Sequence, residues 1–270
     1  MELTHVFYSH TEFLDMLKIA SDYSKDIKNK VLLINVGEIP SEIKDNFDAI
    51  IHYDDSLSYS DKLVTSLSKV QSKYILFTHE VDVILNYDKK IIDKLVDLMQ
   101  FKNIDRLDLQ PNGGNSGSFI KIDEDTDITE WADITPNELN DDDMYVARHT
   151  DPSTYVYNVN PSIWKTTSLI DVFNTFRGRT YRDIEYDDVQ AYCVNKFIIY
   201  NLHSVNHKKL CGYMKSLPFY KYIHVTHYRR LLRFDGSFRD QFGQSYIDVA
   251  EDYTNIVNKY NLKEGNRPFS

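Results

Sequence analysis

Two hydrophobic rhythms alternate along the first hundred residues. Short apolar runs have the length of strands buried on both faces: Leu3 to Tyr8 (LTHVFY), Val31 to Val36 (VLLINV), Asp48 to Tyr53 (DAIIHY), Tyr74 to Phe77 (YILF) and Ile104 to Leu109. Between them, apolar residues recur at helical spacing. Phe13, Leu17, Ala20 and Ile27 follow Ser9 and Glu12, which have capping-box spacing. Leu63, Leu67 and Val70 follow Ser60, and Ile91, Ile92, Leu95, Val96 and Met99 lie within Lys89 to Phe101. Strands separated by helices of this length predict βαβ units: an α/β fold with a mostly parallel central sheet flanked by helices. Ligands of such sheets bind beyond the carboxyl ends of the strands.

The second half is less regular. Pro111 to Gly117 reads as a turn-rich connection, and Asp123 to Asp143 as an acidic loop around Trp131. Thr154 to Val159 alternates like a strand. Asn160-Pro161 then predicts an N-cap and first turn, opening a helix to about Phe176. A helix is expected from Asp187 to Asn195, strands over Phe197–Leu202 and Tyr222–Thr226, and a closing helix over Ser245–Tyr260. No repeat or low-complexity linker divides the chain. A single domain over 1–270 is expected, with a first half (1–110) and a second (111–270).

Composition narrows the class. With 42% hydrophobic and 27% charged residues the chain is globular. A net charge of −10 argues against a nucleic-acid partner. The two cysteines, Cys193 and Cys211, form neither metal-ligand spacing nor a disulfide framework, so a cytoplasmic location is expected. No charged n-region with a long apolar run opens the sequence, and no apolar window is long enough to span a membrane.

Candidate chemistry starts at YILFTHEVDVIL, residues 74–85, where Glu80 and Asp82 interrupt an apolar segment. Desolvating a carboxylate costs several kcal/mol unless a cation or hydrogen bonds compensate. If the segment is extended, Glu80 and Asp82 project to one side, where they suit a hard divalent cation, Mg²⁺ or Mn²⁺. An exposed acidic bend is the plainer alternative. Further on, YRDIEYDD (181–188) leads into a helix. Its acids Asp183, Glu185, Asp187 and Asp188 suit either dipole and capping duty or general-base work on a hydroxyl. Downstream, YIHVTHYRR (222–230) concentrates His224, His227, Arg229 and Arg230: a late metal ligand with diphosphate contacts, or a solvated strand end. Trp164 and Lys165, at the expected helix start, suit a sugar face and a phosphate, although the indole equally suits a core. Asn112, among glycines, would let backbone approach a ligand. No P-loop or dinucleotide fingerprint is present.

This arrangement resembles the GT-A glycosyltransferases, nucleotide-sugar-dependent enzymes built on one α/β domain, from Leu3 to about His227. The resemblance implies that Glu80 and Asp82, as His-Glu-Val-Asp in place of Asp-x-Asp, hold Mn²⁺ or Mg²⁺ on a nucleoside-diphosphate sugar donor, with His224 or His227 completing the shell. It implies a glycan or other hydroxyl acceptor near Trp164. It implies a carboxylate base at the helix opening, with Asp187 favoured over Glu185 and Asp188. Base contacts would come from Ser9, His10, Asp54 and Asp55 at the ends of early strands. A noncatalytic carbohydrate- or partner-binding module on the same scaffold is the alternative.

Overall fold

The computed structural model describes residues 2–109, 115–123, 125, 127–140, 143–151, 157–158, 161–204, 214–216, 220–227, 230–231 and 250–262. Strands β1 (Leu3–Tyr8), β2 (Lys30–Asn35), β3 (Ala49–Tyr53) and β4 (Tyr74–His79) are parallel neighbours in the order β3-β2-β1-β4. Helix α1 (Leu14–Tyr23), the short α2 (Ser41–Lys44) and α3 (Tyr59–Leu67) connect them. The apolar runs become central strands because both faces are covered. Successive side chains of β1 serve opposite layers: Phe7 packs with Leu17 and Ala20 of α1, and Val6 with Leu63 and Leu67 of α3.

After β4 the chain turns sharply into β5 (Asp82–Tyr87), which leaves the main sheet. Helix α4 (Lys89–Phe101) follows; its N-cap Asp88 accepts from the backbone N–H groups of Lys90 (2.8 Å) and Ile91 (3.3 Å). The large sheet continues with β6 (Arg106–Asp108), β7 (Asn115–Lys121), β8 (Asp133–Ile134), β9 (Met144–His149), β10 (Ser162–Lys165) and β11 (Ile199–Ser204). Its full order is β3-β2-β1-β4-β10-β6-β11-β9-β7-β8. β10 is antiparallel to both β4 and β6, and β6 is parallel to β11. Six of the first seven strands in that order therefore point the same way, and an antiparallel extension follows them.

Helices α5 (Thr166–Thr175) and α6 (Asp187–Lys196) join α3 on one face of the sheet. Strands β12 (Met214–Ser216) and β13 (Tyr220–His224) pair with β5 in a second small sheet. Helix α7 (Ala250–Lys259) packs Tyr253 and Ile256 against Val83, Ile223 and α1. No helix among the described residues is long and apolar enough to cross a membrane.

Three expectations change. Ser9 does not cap a helix: its backbone still belongs to the sheet, and His10 caps a 3-10 turn (Thr11–Phe13) ahead of α1. The expected helix from Asn160 starts only at Thr166, because Ser162–Lys165 forms strand β10. Glu80 and Val81 form a turn rather than an extended run. Of the expected strand at 154–159, only residues 157–158 are described, and they are not strand.

Candidate functional site

The carboxyl end of β4 carries the acidic pair. Glu80 is 8% exposed and Asp82 1%. The turn is anchored by the Glu80 N–H donating to the Tyr8 carbonyl at 3.2 Å. Asp82 opens β5 and lies opposite His224 of β13. One Asp82 oxygen accepts from the His79 backbone N–H at 3.2 Å, and the other lies 2.9 Å from His224 Nδ1. These contacts offset the cost of burying the carboxylate. They also orient the imidazole. With its Nδ1 directed to Asp82, the imidazole is oriented as one is when a carboxylate prepares it for a metal or a proton.

His79 is itself enclosed, and its ring meets Tyr8, Phe77 and Tyr181 at 5.3, 5.4 and 5.6 Å between centroids. Its Nε2 lies 3.3 Å from the Tyr59 hydroxyl. Burial lowers its pKa to about 4, an effect that His224 reinforces and Asp82 opposes. The ring is therefore neutral at physiological pH.

At the ends of β1, β2 and β3 a polar network forms. The Glu12 backbone N–H donates to His10 Nδ1 at 3.1 Å, so His10 carries its proton on Nε2, 2.8 Å from Asp55 Oδ2. Lys62 donates to the other Asp55 oxygen at 2.8 Å, and Asn35 Nδ2 donates to Asp55 at 3.2 Å. Burial would raise the Asp55 pKa, but the bonds from Lys62 and His10 outweigh it and hold the carboxyl ionised. Of the four residues nominated here, His10 and Asp55 come together. Ser9 is fully buried, with its carbonyl accepting from the Tyr53 hydroxyl at 2.7 Å. Asp54 is exposed and accepts from Ser56 in its own turn. Asn35 and Lys62 escaped sequence reasoning. Asn35 had a signal, as the polar residue that ends an apolar run.

The acidic cluster before α6 sits on the same end of the sheet. Its approach is pinned to the first turn of α3. Arg179 N–H donates to the Ser60 hydroxyl at 3.0 Å, and Gly178 N–H to Asp61 at 3.2 Å. Gly178 has φ 77°, a left-handed conformation that suits glycine. Tyr181 is thereby set edge-on against Tyr59, 5.3 Å between centroids, and beside His79. The three candidate bases then differ. Asp187 is exposed at the first position of α6, and Asp188 pairs with Arg179. Glu185 is half-buried, and its charge bears on the hydroxyls of both Tyr157 and Tyr181. The Tyr181 hydroxyl also feels the charges of Asp82 and Glu80.

Other nominated residues lie elsewhere. Because β10 runs antiparallel, Lys165 is level with Tyr74, at the amino end of β4, roughly 17 Å along the strand from His79. It faces Asp105 at 3.7 Å. Trp164 is 1% exposed, beneath the Arg106 guanidinium at 5.1 Å and within the core of the α3/α5/α6 face. Neither faces the acidic turn. His227 and Arg230 belong to a short hairpin, β14 (Thr226–His227) with β15 (Arg230–Leu231), but their side chains, and Arg229 and Asn112 entirely, lie outside the described residues. A cavity of about 730 Å³ opens beside the amino end of β1, between Tyr23, Tyr87 and Asp97, and holds none of the nominated residues.

The donor set suits a hard or borderline divalent cation in chemistry: two carboxylates and an imidazole. Among the described residues no group of three His, Cys, Asp or Glu side chains is arranged to hold an ion. A cation bound through one or two carboxylates and completed by substrate phosphate and water needs no such cage.

No family model matches this chain, and no curated protein matches it. Solved structures do. S. aureus TarS 1–349 in complex with UDP-GlcNAc aligns with 74% of this chain and 56% of that one, at 10% identity and a TM-score of 0.42. UDP-glucose pyrophosphorylase complexed with UDP-glucose aligns over 76% and 92%, at 9% identity and a TM-score of 0.43. The bifunctional IspDF from Campylobacter jejuni aligns over 74% and 49%, at 13% identity and a TM-score of 0.34. The chain spans 58% or less of the TarS chains just cited and of their ligand-free counterpart. Strand order and direction make the chain a mixed α/β protein with a mostly parallel central sheet.

Proposed function

We propose that the chain is a glycosyltransferase that moves a sugar from a nucleoside diphosphate to an acceptor hydroxyl. The observation that carries this reading is the burial of Glu80 and Asp82 at the carboxyl end of β4, with His224 against Asp82 and the Tyr181 ring against His79. The network of His10, Asn35, Asp55 and Lys62 offers donors and acceptors to a nucleobase and ribose at the ends of β1–β3. The diphosphate then reaches the acidic turn after β4. One or both carboxylates of Glu80 and Asp82, completed by diphosphate oxygens and water, would hold Mn²⁺ or Mg²⁺ there. Such a cation, when bound, offsets the charge that develops on the departing diphosphate.

Glu185 is the general base of this reading. It is half-buried and its charge acts on the Tyr181 hydroxyl, whereas Asp187 faces solvent and Asp188 is engaged by Arg179. A carboxylate on the sugar face opposite the leaving group removes the acceptor proton as the new bond forms, which gives inversion. A noncatalytic sugar-binding module is the second reading. It is favoured by one observation: both Asp82 oxygens are already bonded within the protein.

The test is calorimetry with UDP and GDP, with and without Mn²⁺, followed by turnover of a nucleotide-sugar library. Metal-dependent binding that Asp82→Asn removes, with sugar release by the native chain, is the expected result. Binding without turnover of any donor supports the module. No binding of either nucleotide overturns both the donor site and the transfer reaction.

A further inference from the structure

Five large hydrophobic residues stand exposed among the described residues, and two of them, Tyr181 (41%) and Tyr186 (55%), bracket Glu185. An exposed aromatic ring is unremarkable singly, but Tyr181 is not a loose surface side chain. The loop that carries it is tied to α3 through Ser60 and Asp61, with Arg177 also paired to Asp61 at 3.3 Å. Its ring meets those of Tyr59 and His79 at steep angles, 83° and 69°, so it is held in place while the residue stays 41% exposed. The edge contacts leave its orientation little freedom. The carboxylates of Glu185, Asp82 and Glu80 are near enough for their charge to act on its hydroxyl. A fixed, partly open ring beside hydrogen-bond acceptors has the chemistry of a carbohydrate platform: the face takes the C–H side of a pyranose, and the carboxylates accept from its hydroxyls.

We propose that Tyr181 contacts the acceptor and that the acceptor is a carbohydrate whose ring stacks on this tyrosine. The assignment to the acceptor rather than the donor rests on the reading of Glu185 as base, since the base must touch the hydroxyl that attacks. The ring face and not the phenol hydroxyl is the recognition element.

The test measures dissociation constants of lactose, maltose, cellobiose and N,N′-diacetylchitobiose by NMR titration of the full chain, with and without UDP. At least one disaccharide is expected to bind. Tyr181→Ala is expected to weaken it by about tenfold, while Tyr181→Phe and Tyr181→Trp stay within about threefold. The UDP dissociation constant is expected to be the same in all of them. Tyr181→Leu, which keeps bulk against Tyr59 but has no flat ring, replaces the alanine variant should that unfold. Failure of every disaccharide to bind overturns the proposal. So does a phenylalanine variant as weak as the alanine one, or an alanine variant as strong as the native chain. Absence of UDP binding sinks the donor reading separately, and the disaccharide series still judges Tyr181.

Discussion

The two ends of the parallel sheet use the same kinds of side chain for different ends. At the amino end, charge is joinery. Asp105 accepts from the Ser168 hydroxyl (2.7 Å) and the Ile198 backbone N–H (3.0 Å) and faces Lys165, while the buried Lys30 ammonium donates to the Ser24 carbonyl at 2.7 Å. Each of these groups meets backbone or an opposite charge. At the carboxyl end, Asp82 meets an imidazole, His79 meets a phenol, and acidic groups stand around a partly exposed tyrosine. Joinery stabilises the fold whatever surrounds it. The carboxyl-end groups are titratable and mutually oriented, which is what proton transfer and anion stabilisation need.

The sharpest way to break this contrast is at the acid cluster. Glu185→Gln keeps size and hydrogen bonding but removes the basic charge, and kcat is expected to fall by roughly 10²–10⁴. Asp187→Asn is expected to change it by about threefold or less. Steady-state kinetics with the donor that turns over decide it, and the reverse ranking would return the base to Asp187. At the other end, Trp164→Ala removes a buried indole packed under Arg106 and is expected to cost about 3–5 kcal/mol of stability. Urea unfolding measures the loss. A raised acceptor KM in the folded protein with unchanged stability would move Trp164 back to a binding role.

A smaller effect concerns His5, buried in β1 against Tyr87, with neither ring nitrogen hydrogen-bonded. Burial, with help from Lys30, lowers its pKa to about 3. The unfolded chain therefore binds a proton below about pH 6.5 that the native chain refuses, so stability falls as pH drops from about 6.5 toward 3. Each pH unit inside that window costs about 1.4 kcal/mol per such imidazole. His5→Leu is expected to lift stability at pH 5 by about 1–3 kcal/mol and flatten its slope. Unfolding at pH 7 and pH 5 checks this; an unchanged slope would mean that His5 is protonated in the fold.

The apolar rhythm of residues 3–109 was enough to foretell β1–β4, β6, α3 and α4, because burial on both sheet faces demands continuous apolar runs and helices need a stripe. Glu80 and Asp82 stood out for the same reason: acids in such a run need a compensating partner, and Asp82 finds one in His224. Direction was not legible. Ser162–Lys165 reads alike as a strand or a helix start, and only pairing with β4 and β6 made it antiparallel, sending Trp164 to the core and Lys165 to the far end. Nor does spacing along the chain reveal that Asp82 faces a histidine 142 positions later, or that Tyr181 lies on Tyr59 and His79. Local pattern follows from each residue's own preference for water or core. Which distant side chains meet is decided by strand order and direction, a property of the whole chain's packing.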